Sequence, residues 1–370
     1  MRINHRSSFG CRWAPCLSLL GLSLGTAFVT AQETLPLLPK WTRFQGELVS
    51  LKTYDNPIQD VQVKAVFISP AGEEHEIDGF WDGGNDWKIR FLPDLAGKWT
   101  FKITCSDDEN RGLHNLTGEF RCTAPLGRSS LTRHGPIRVS RDRRHFVHED
   151  GTPFFWMADT AWNGPLKSNE FDWKNYLAER KRQGFTSVQW VATSWRGAPD
   201  GDVDGNRAFN GKEKIRVNPS FFQRLDRRVE AINDAGLLSV PVLFWAYQGD
   251  ENPVNILPDD QAVLLARYLV ARWGATYGAW FLGGDGDYSG TNAARWRDLG
   301  QAVFGGKRHF PVFMCPKGKS WVFEEFRDEK WMTALGYQSG HDIDDATNNW
   351  IHHGPASRDW AKLPHRPVVN

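Results

Sequence analysis

The sequence predicts two domains of different class: an N-terminal all-β, immunoglobulin-like sandwich, then an incomplete α/β barrel of the TIM type. Three observations carry this. Short alternating apolar runs, separated by Gly, Pro and Asn/Asp turn signals, fill residues 41–124. From His145 onward, apolar strands alternate with helical stretches, the pattern of a parallel sheet with helical crossovers. No glycine-rich dinucleotide fingerprint accompanies those strands, which favours a barrel over a doubly wound sheet.

In chain order, residues 1–31 read as a secretory signal peptide. Arg2, Arg6 and Arg12 are basic, no acid precedes Glu33, and Trp13 to Thr30 is mostly apolar. Val29-Thr30-Ala31 is a small-residue cleavage site before Gln32. A membrane anchor is the alternative; the segment is short for a span and diluted by Ser and Gly. Cleavage implies a secreted, periplasmic or cell-surface protein without a membrane span. It removes three Arg and no acid, taking the formal net charge from +1 to −2. With 45 Lys plus Arg against 44 Asp plus Glu, no electrostatic case for nucleic acid exists.

Residues 32–124 form the predicted β-domain, with strand-like runs at Val61–Phe67 and Trp99–Thr104 and turns such as Asp82-Gly83-Gly84-Asn85. No cluster of catalytic residue types stands out in it. Asn115-Leu116-Thr117 is a glycosylation sequon. Cys105 and Cys122 lie in neighbouring runs; export permits a disulfide worth about 3 kcal/mol, and two buried thiols are the alternative. Cys11 and Cys16 leave with the signal, and Cys315 reads as core. Residues 125–144 read as a linker whose Arg141, Arg143 and Arg144 make a solvated turn.

Residues 145–370 read as the barrel. Its strands are expected at 154–158, 187–192, 238–245, 279–282, 311–315, 334–338 and 366–369. The intervening helices are expected at 172–183, 219–235, 259–273, 291–304, 323–332, 345–353 and 357–361. Asn218 with Pro219 starts the second helix and Gly236 stops it. A complete barrel needs an eighth strand.

The chemistry is expected at the carboxyl ends of these strands. Trp280-Phe281-Leu282-Gly283-Gly284-Asp285 ends a buried strand in glycines that would admit a ligand, then a carboxylate. Asp285 reads as a catalytic acid/base, with a turn or helix N-cap as the alternative. Asp159, Trp162, Trp195, Trp245, Asp287, Gln338 and His341 fall at other strand ends and read as substrate-binding. Carboxylates move protons and bind hydroxyls, and indole faces stack on sugar C–H surfaces. The chain holds 18 Trp, which implies an aromatic core, a stacking surface or both. Asp200, Asp202 and Asp204 match the first half of a calcium loop, but position twelve is Gly211 instead of Glu, so a solvated acidic loop is the alternative. No His-x-His or His-Glu-x-x-His occurs, which argues against catalytic zinc and a metal-dependent hydrolase.

Phe154–Trp162, Trp280–Asp285 and Tyr337-Gln338-Ser339-Gly340-His341, in that order, resemble the apiosidase-like glycoside hydrolases over residues 145–370. The preceding β-domain resembles the sandwich that often comes before that barrel. The resemblance implies a retaining barrel glycosidase acting on a complex plant or algal type polysaccharide, with the acid/base on Asp285. It also implies a glutamate nucleophile shortly after an Arg/Lys-Pro-Val-x-Asn run. That run is Arg366-Pro367-Val368-Val369-Asn370, so the nucleophile is expected beyond this chain and the barrel is expected to be truncated at strand seven. The other reading is a non-catalytic carbohydrate-binding or adhesive surface protein.

Overall fold

A computed structural model describes residues 2–3, 35–127 and 129–370. Most of the predicted signal segment, with Cys11 and Cys16, lies outside the described residues.

The N-terminal region is β-rich, with two sheets over one apolar core. One sheet orders Leu37–Pro39, Leu116–Thr123, Gly97–Cys105, Val63–Ile68 and Glu74–Asp78; the other contains Phe44–Val49, Asp86–Phe91 and Phe80–Gly83. Alternate residues point inward, and Phe44, Phe67, Phe91, Trp99, Phe101 and Phe120 pack there as an aromatic cluster. Cys105 and Cys122 are buried free thiols. Strand register explains why they do not bond. Gly97 pairs with Cys122 and Ile103 with Leu116, so Cys105 stands eight residues along its own strand from the position facing Cys122. At about 3.3 Å per residue that is roughly 26 Å, far beyond disulfide reach.

The segment read as a linker carries structure. Ser130–His134 is a helix with a Ser129–Thr132 capping box. Ile137–Val139, Phe146–His148 and Pro153–Phe154 form a three-stranded antiparallel sheet. The basic turn is a clamp: Arg143 Nε donates to the His365 carbonyl at 2.9 Å, and Arg144 donates to the Trp360 carbonyl at 3.0 Å while stacking on that ring.

The C-terminal region is a curled parallel sheet with helical crossovers. Strands β1 (Ala158–Thr160), β2 (Ser187–Val191), β3 (Leu238–Trp245), β4 (Trp280–Gly286) and β5 (Val312–Pro316) lie side by side in that order, all parallel. β6 (Leu335–Gly336) and β7 (Val368–Val369) form a parallel pair, joined to β5 through Thr333 and Ala334 amides donating to the Val312 carbonyl. β2 and β3 are wholly buried, as parallel strands covered on both faces must be. The main crossover helices are Glu170–Arg182, Pro219–Asp234, Asp259–Trp273 and Gly290–Phe304. Asn218 accepts from the Ser220 amide at 3.2 Å, with Pro219 in the first helical turn as its sequence implies. Two elements differ from expectation. Pro153–Phe154 belongs to the antiparallel sheet, so β1 starts later and contains Asp159. Residues 323–332 form turns instead of a helix, closed by three-residue bonds such as Met332 N–H to the Glu329 carbonyl, and Arg366 Nη2 bridges the carbonyls of Arg327 and Glu329 at 2.8 and 2.9 Å.

A buried ionic cluster joins the two regions. Asp226 accepts from Arg90 at 2.8 Å, from Arg272 at 2.8 and 2.9 Å, and from the Trp273 indole at 2.8 Å. Arg272 also donates to Asp82 at 2.7 Å, and both guanidinium groups lie 4.9 Å from the centre of the Phe80 ring. Burial alone would raise the Asp226 pKa, but Arg90 and Arg272 outweigh it and hold the carboxyl far below its ordinary range. Asp226→Ala leaves two guanidinium groups buried without their acceptor. The expected loss of unfolding free energy at pH 7 is about 3–5 kcal/mol by denaturant titration. A loss under about 1 kcal/mol would show that the cluster does not hold the regions together.

Candidate active site

β4 sets the geometry. Six of its seven residues are buried and the seventh, Asp285, is half-buried. Gly284 pairs with Cys315 and Gly286 with Pro316, so two residues of β4 oppose one step of β5 and Asp285 is the extra residue of a bulge. Its φ is +50°, a left-handed conformation rare outside glycine but tolerated by Asp. Asp285 caps no helix; the following helix has Ser289 at its N-cap position.

The glycines before Asp285 make room for the protein itself, which corrects the expectation of ligand access. A Cβ on Gly283 would sit 2.5 Å from Tyr288 Oη and 2.9 Å from the Trp296 ring. One on Gly284 would sit 2.6 Å from Val242 and 3.1 Å from the Trp245 ring. The Tyr288 hydroxyl is buried beneath the bulge with no hydrogen-bond partner among the described residues, and burial raises its pKa well above that of a free tyrosine. Burial likewise pushes the neighbouring Cys315 thiol up to about 11, so it stays protonated and inert.

Two groups of side chains flank Asp285. On one side Gln338, just past β6, donates through Nε2 to Asp285 Oδ1 at 3.0 Å and to the Pro316 carbonyl at 2.9 Å. On the other side lie the tryptophans from the ends of β1, β2 and β3. Trp245 meets Trp162 at 5.1 Å and Trp195 at 4.6 Å between ring centroids, and Gly284 is the register partner of Trp245. Arg196 stands 5.6–5.8 Å over Trp195, Trp245 and Tyr247. Trp195 and Trp245 are 5% exposed, so they build the wall; half-buried Trp162 and exposed Tyr247 are the faces left to stack on a ligand. Two residues missed in the sequence tie the loops together. Asn163 accepts from Trp195 Nε1 at 2.7 Å, and buried Asn252 accepts from the Arg196 amide at 3.0 Å and donates to the Tyr247 carbonyl at 3.3 Å. Neither has a sequence signature beyond being Asn in a loop.

The remaining expected residues sit elsewhere. The Asp159 carboxylate is taken by Tyr176 Oη at 2.6 Å and by Arg180, both on the helix after β1. Burial would raise its pKa, yet these partners outweigh it and hold it low; it is a structural ion pair turned to the helical layer, not a substrate contact. Asp287 pairs with Lys317 at 2.7 Å and accepts from the Ser289 hydroxyl at 2.6 Å, which together hold its pKa at about 2. It is a turn residue at a helix start. His341 is exposed in the loop after β6, and no hydrogen bond joins it to Asp285. At the acids of the half calcium loop, Asp202 Oδ2 is buried with no hydrogen-bond partner among the described residues, while the other carboxylate oxygens are in part committed. Asp202 Oδ1 accepts the Asp204 and Asn206 amides, Asp204 pairs with Arg224 at 3.6 Å, and Asp200 faces Arg207 at 3.9 Å. Among the described residues, no three acid, His or Cys side chains converge where a metal could be held. No described helix is long and apolar enough to cross a membrane.

An acid on a bulged strand end beside an aromatic wall, on a curled parallel sheet, lies where α/β barrels place their chemistry. The Apiosidase-like catalytic domain pattern matches residues 140–370, and the chain belongs to that family. Residues 37–106 match a domain of unknown function, DUF5060. A putative glycoside hydrolase from Bacteroides vulgatus ATCC 8482 superposes with TM-score 0.71 at 20% identity, over 90% of this chain and 64% of that one. A family 5 glycoside hydrolase from the same organism superposes with TM-score 0.53 at 21% identity, over 64% of this chain and 53% of that one. A third structure, described as a glycoside hydrolase, gives TM-score 0.55 at 23% identity over 64% of this chain and 56% of its own. This chain therefore spans between half and two thirds of the length of these structures. No curated protein matches it.

Two outcomes follow from this geometry. Gly283→Ala is expected to lower stability by about 1–3 kcal/mol in urea titrations, and Tyr288→Phe in the same protein to recover part of the loss, because the new methyl group meets the tyrosine hydroxyl. An unchanged midpoint would restore the ligand-access reading of Gly283. Asp287→Asn tests the Lys317 pair. A carboxyl depressed on folding stabilises above its unfolded pKa, and that contribution fades as pH falls toward about 2. The pair is largely exposed, so the expected loss is at most about 1 kcal/mol at pH 7 and nil near pH 2. A pH-independent loss would mean that the pair is not its source.

Proposed function

We propose that this chain is the greater part of an exported, retaining, apiosidase-like glycoside hydrolase that removes sugars from a complex plant or algal type polysaccharide. The observation that carries the reading is Asp285. It is the extra residue of a bulge at the end of β4, has a second carboxylate oxygen without a partner among the described residues, and lies within the matched catalytic domain. Asp285 acts as general acid, protonating the leaving oxygen, and then as base toward water. Trp162 and Tyr247 stack on the sugar or the leaving group.

A retaining mechanism needs a second carboxyl group about 5–5.5 Å from the first. Asp159 and Asp287 are both committed to cations. We assign the nucleophile to a glutamate on the segment following β7. Asn370, next after β7, hydrogen-bonds the Ser339 amide at 3.2 Å and its hydroxyl at 3.3 Å, beside Gln338 and hence beside Asp285. This support is positional.

Residues 32–370 alone are expected to hydrolyse no aryl glycoside above background, and a protein extended through a glutamate after β7 to do so. In that protein, Asp285→Ala should lose about 10²–10⁴-fold on poor leaving groups and far less on activated ones, which need no proton. An equal loss on both would remove Asp285 from the acid role. Sugar binding without turnover by the extended protein would favour the recognition-only reading.

A further inference from the structure

The sequence makes Gln338 a substrate contact, but its hydrogen bonds define a more specific task. A carboxamide has two N–H donors on nitrogen and lone pairs on oxygen. Gln338 Nε2 lies 3.0 Å from Asp285 Oδ1, 2.9 Å from the Pro316 carbonyl and 3.6 Å from Cys315 Sγ. The two short contacts are to oxygens that accept, so both N–H bonds are committed to them. Rotating the amide by 180° would set its oxygen against a carboxylate and a carbonyl, so the chemistry of the partners fixes which end is nitrogen. On Asp285, Oδ1 receives this bond, and Oδ2 has no hydrogen-bond partner among the described residues.

We propose that Gln338 is the positioning residue of Asp285. It reserves Oδ1 as an acceptor, so the transferable proton resides on Oδ2. A proton on Oδ1 would meet the amide hydrogen head on and cost the bond. Pro316 closes β5 and Gln338 follows β6, so the acid on β4 is braced from two neighbouring strands. The inference rests on the glycosidase reading for the use made of that proton. There it passes from Oδ2 to the glycosidic oxygen while the bond from the anomeric carbon to that oxygen breaks, its electron pair staying on oxygen. Asp285 is left as a carboxylate, and the Gln338 bond becomes charge-assisted as that charge develops. An interaction that strengthens toward the transition state lowers the barrier instead of merely tightening binding. The Gln338 side-chain Oε1, without a hydrogen-bond partner among the described residues, stays beside the acid as an acceptor for a sugar hydroxyl.

The test is a neutron structure of this chain in heavy water, at neutral pH and at a lower pH chosen so that Asp285 holds a deuteron. Expected at the lower pH is deuterium on Asp285 Oδ2, with Gln338 Nε2 still donating to Oδ1. Deuterium on Oδ1, or a rotated Gln338 amide, overturns the proposal. Gln338→Met keeps length and removes both donors, so the deuteron should then spread over both oxygens; retention on Oδ2 alone would show that Gln338 does not place it. In an extended, active protein the same substitution should lower kcat on poor leaving groups by about tenfold or more with KM little changed. An extended protein that hydrolyses nothing would defeat the glycosidase reading while the neutron result stands by itself.

Discussion

β4 is buried on both faces and still presents one half-exposed carboxylate, and the proposed site follows from how that conflict is resolved. A regular strand here would send every side chain into packed core. The bulge at Asp285 interrupts the alternation, and the glycines before it let Tyr288, Trp296 and Trp245 fill the space a side chain would have taken. Asp285 is thereby supported from below and braced from the side by Gln338. Backbone strain at φ +50° is tolerable because the surrounding packing over-determines it.

The remaining site elements hang on this strand. The three tryptophans arrive from the ends of β1, β2 and β3, and Asn163 and Asn252 fix the loops that carry them. On the opposite side of the helical layer, Asp226 and Arg272 lock the crossover helices to Arg90 and Asp82 of the β-rich region. That cluster ties the two regions together, and β4 with its neighbours carries the proposed site.

Much of this was legible in the sequence. Strand–helix alternation, the Asn218–Pro219 helix start and the buried run ending at Asp285 are local patterns, and local patterns are what a sequence displays. What escaped depends on distant partners. Phe154 reads as barrel strand because it is apolar, yet it pairs with Phe146; the shift puts Asp159 inside β1, facing Tyr176 and Arg180. Phe323, Phe326, Trp331 and Met332 are all buried, as a helix face would be, but the run is built of turns whose carbonyls at Arg327 and Glu329 are bridged by the distant Arg366. Cys105 and Cys122 are near in sequence and far apart in register. The acids at Asp200, Asp202 and Asp204 spell half a calcium loop, and nothing local in that run announces that Arg224 and Arg207 stand beside them. Gln338 stood out in the sequence, but its bond to Asp285 spans 53 residues and has no local signature.

The central claim is that Asp285 addresses a glycosidic oxygen in front of the aromatic wall. The most direct measurement is a crystal structure of the protein with a bound iminosugar or product sugar. The account predicts the anomeric substituent within about 3 Å of Asp285 Oδ2, with Trp162 or Tyr247 against a C–H face of the ligand. A sugar seated elsewhere, or one whose anomeric carbon lies beyond hydrogen-bond reach of Asp285, would contradict it.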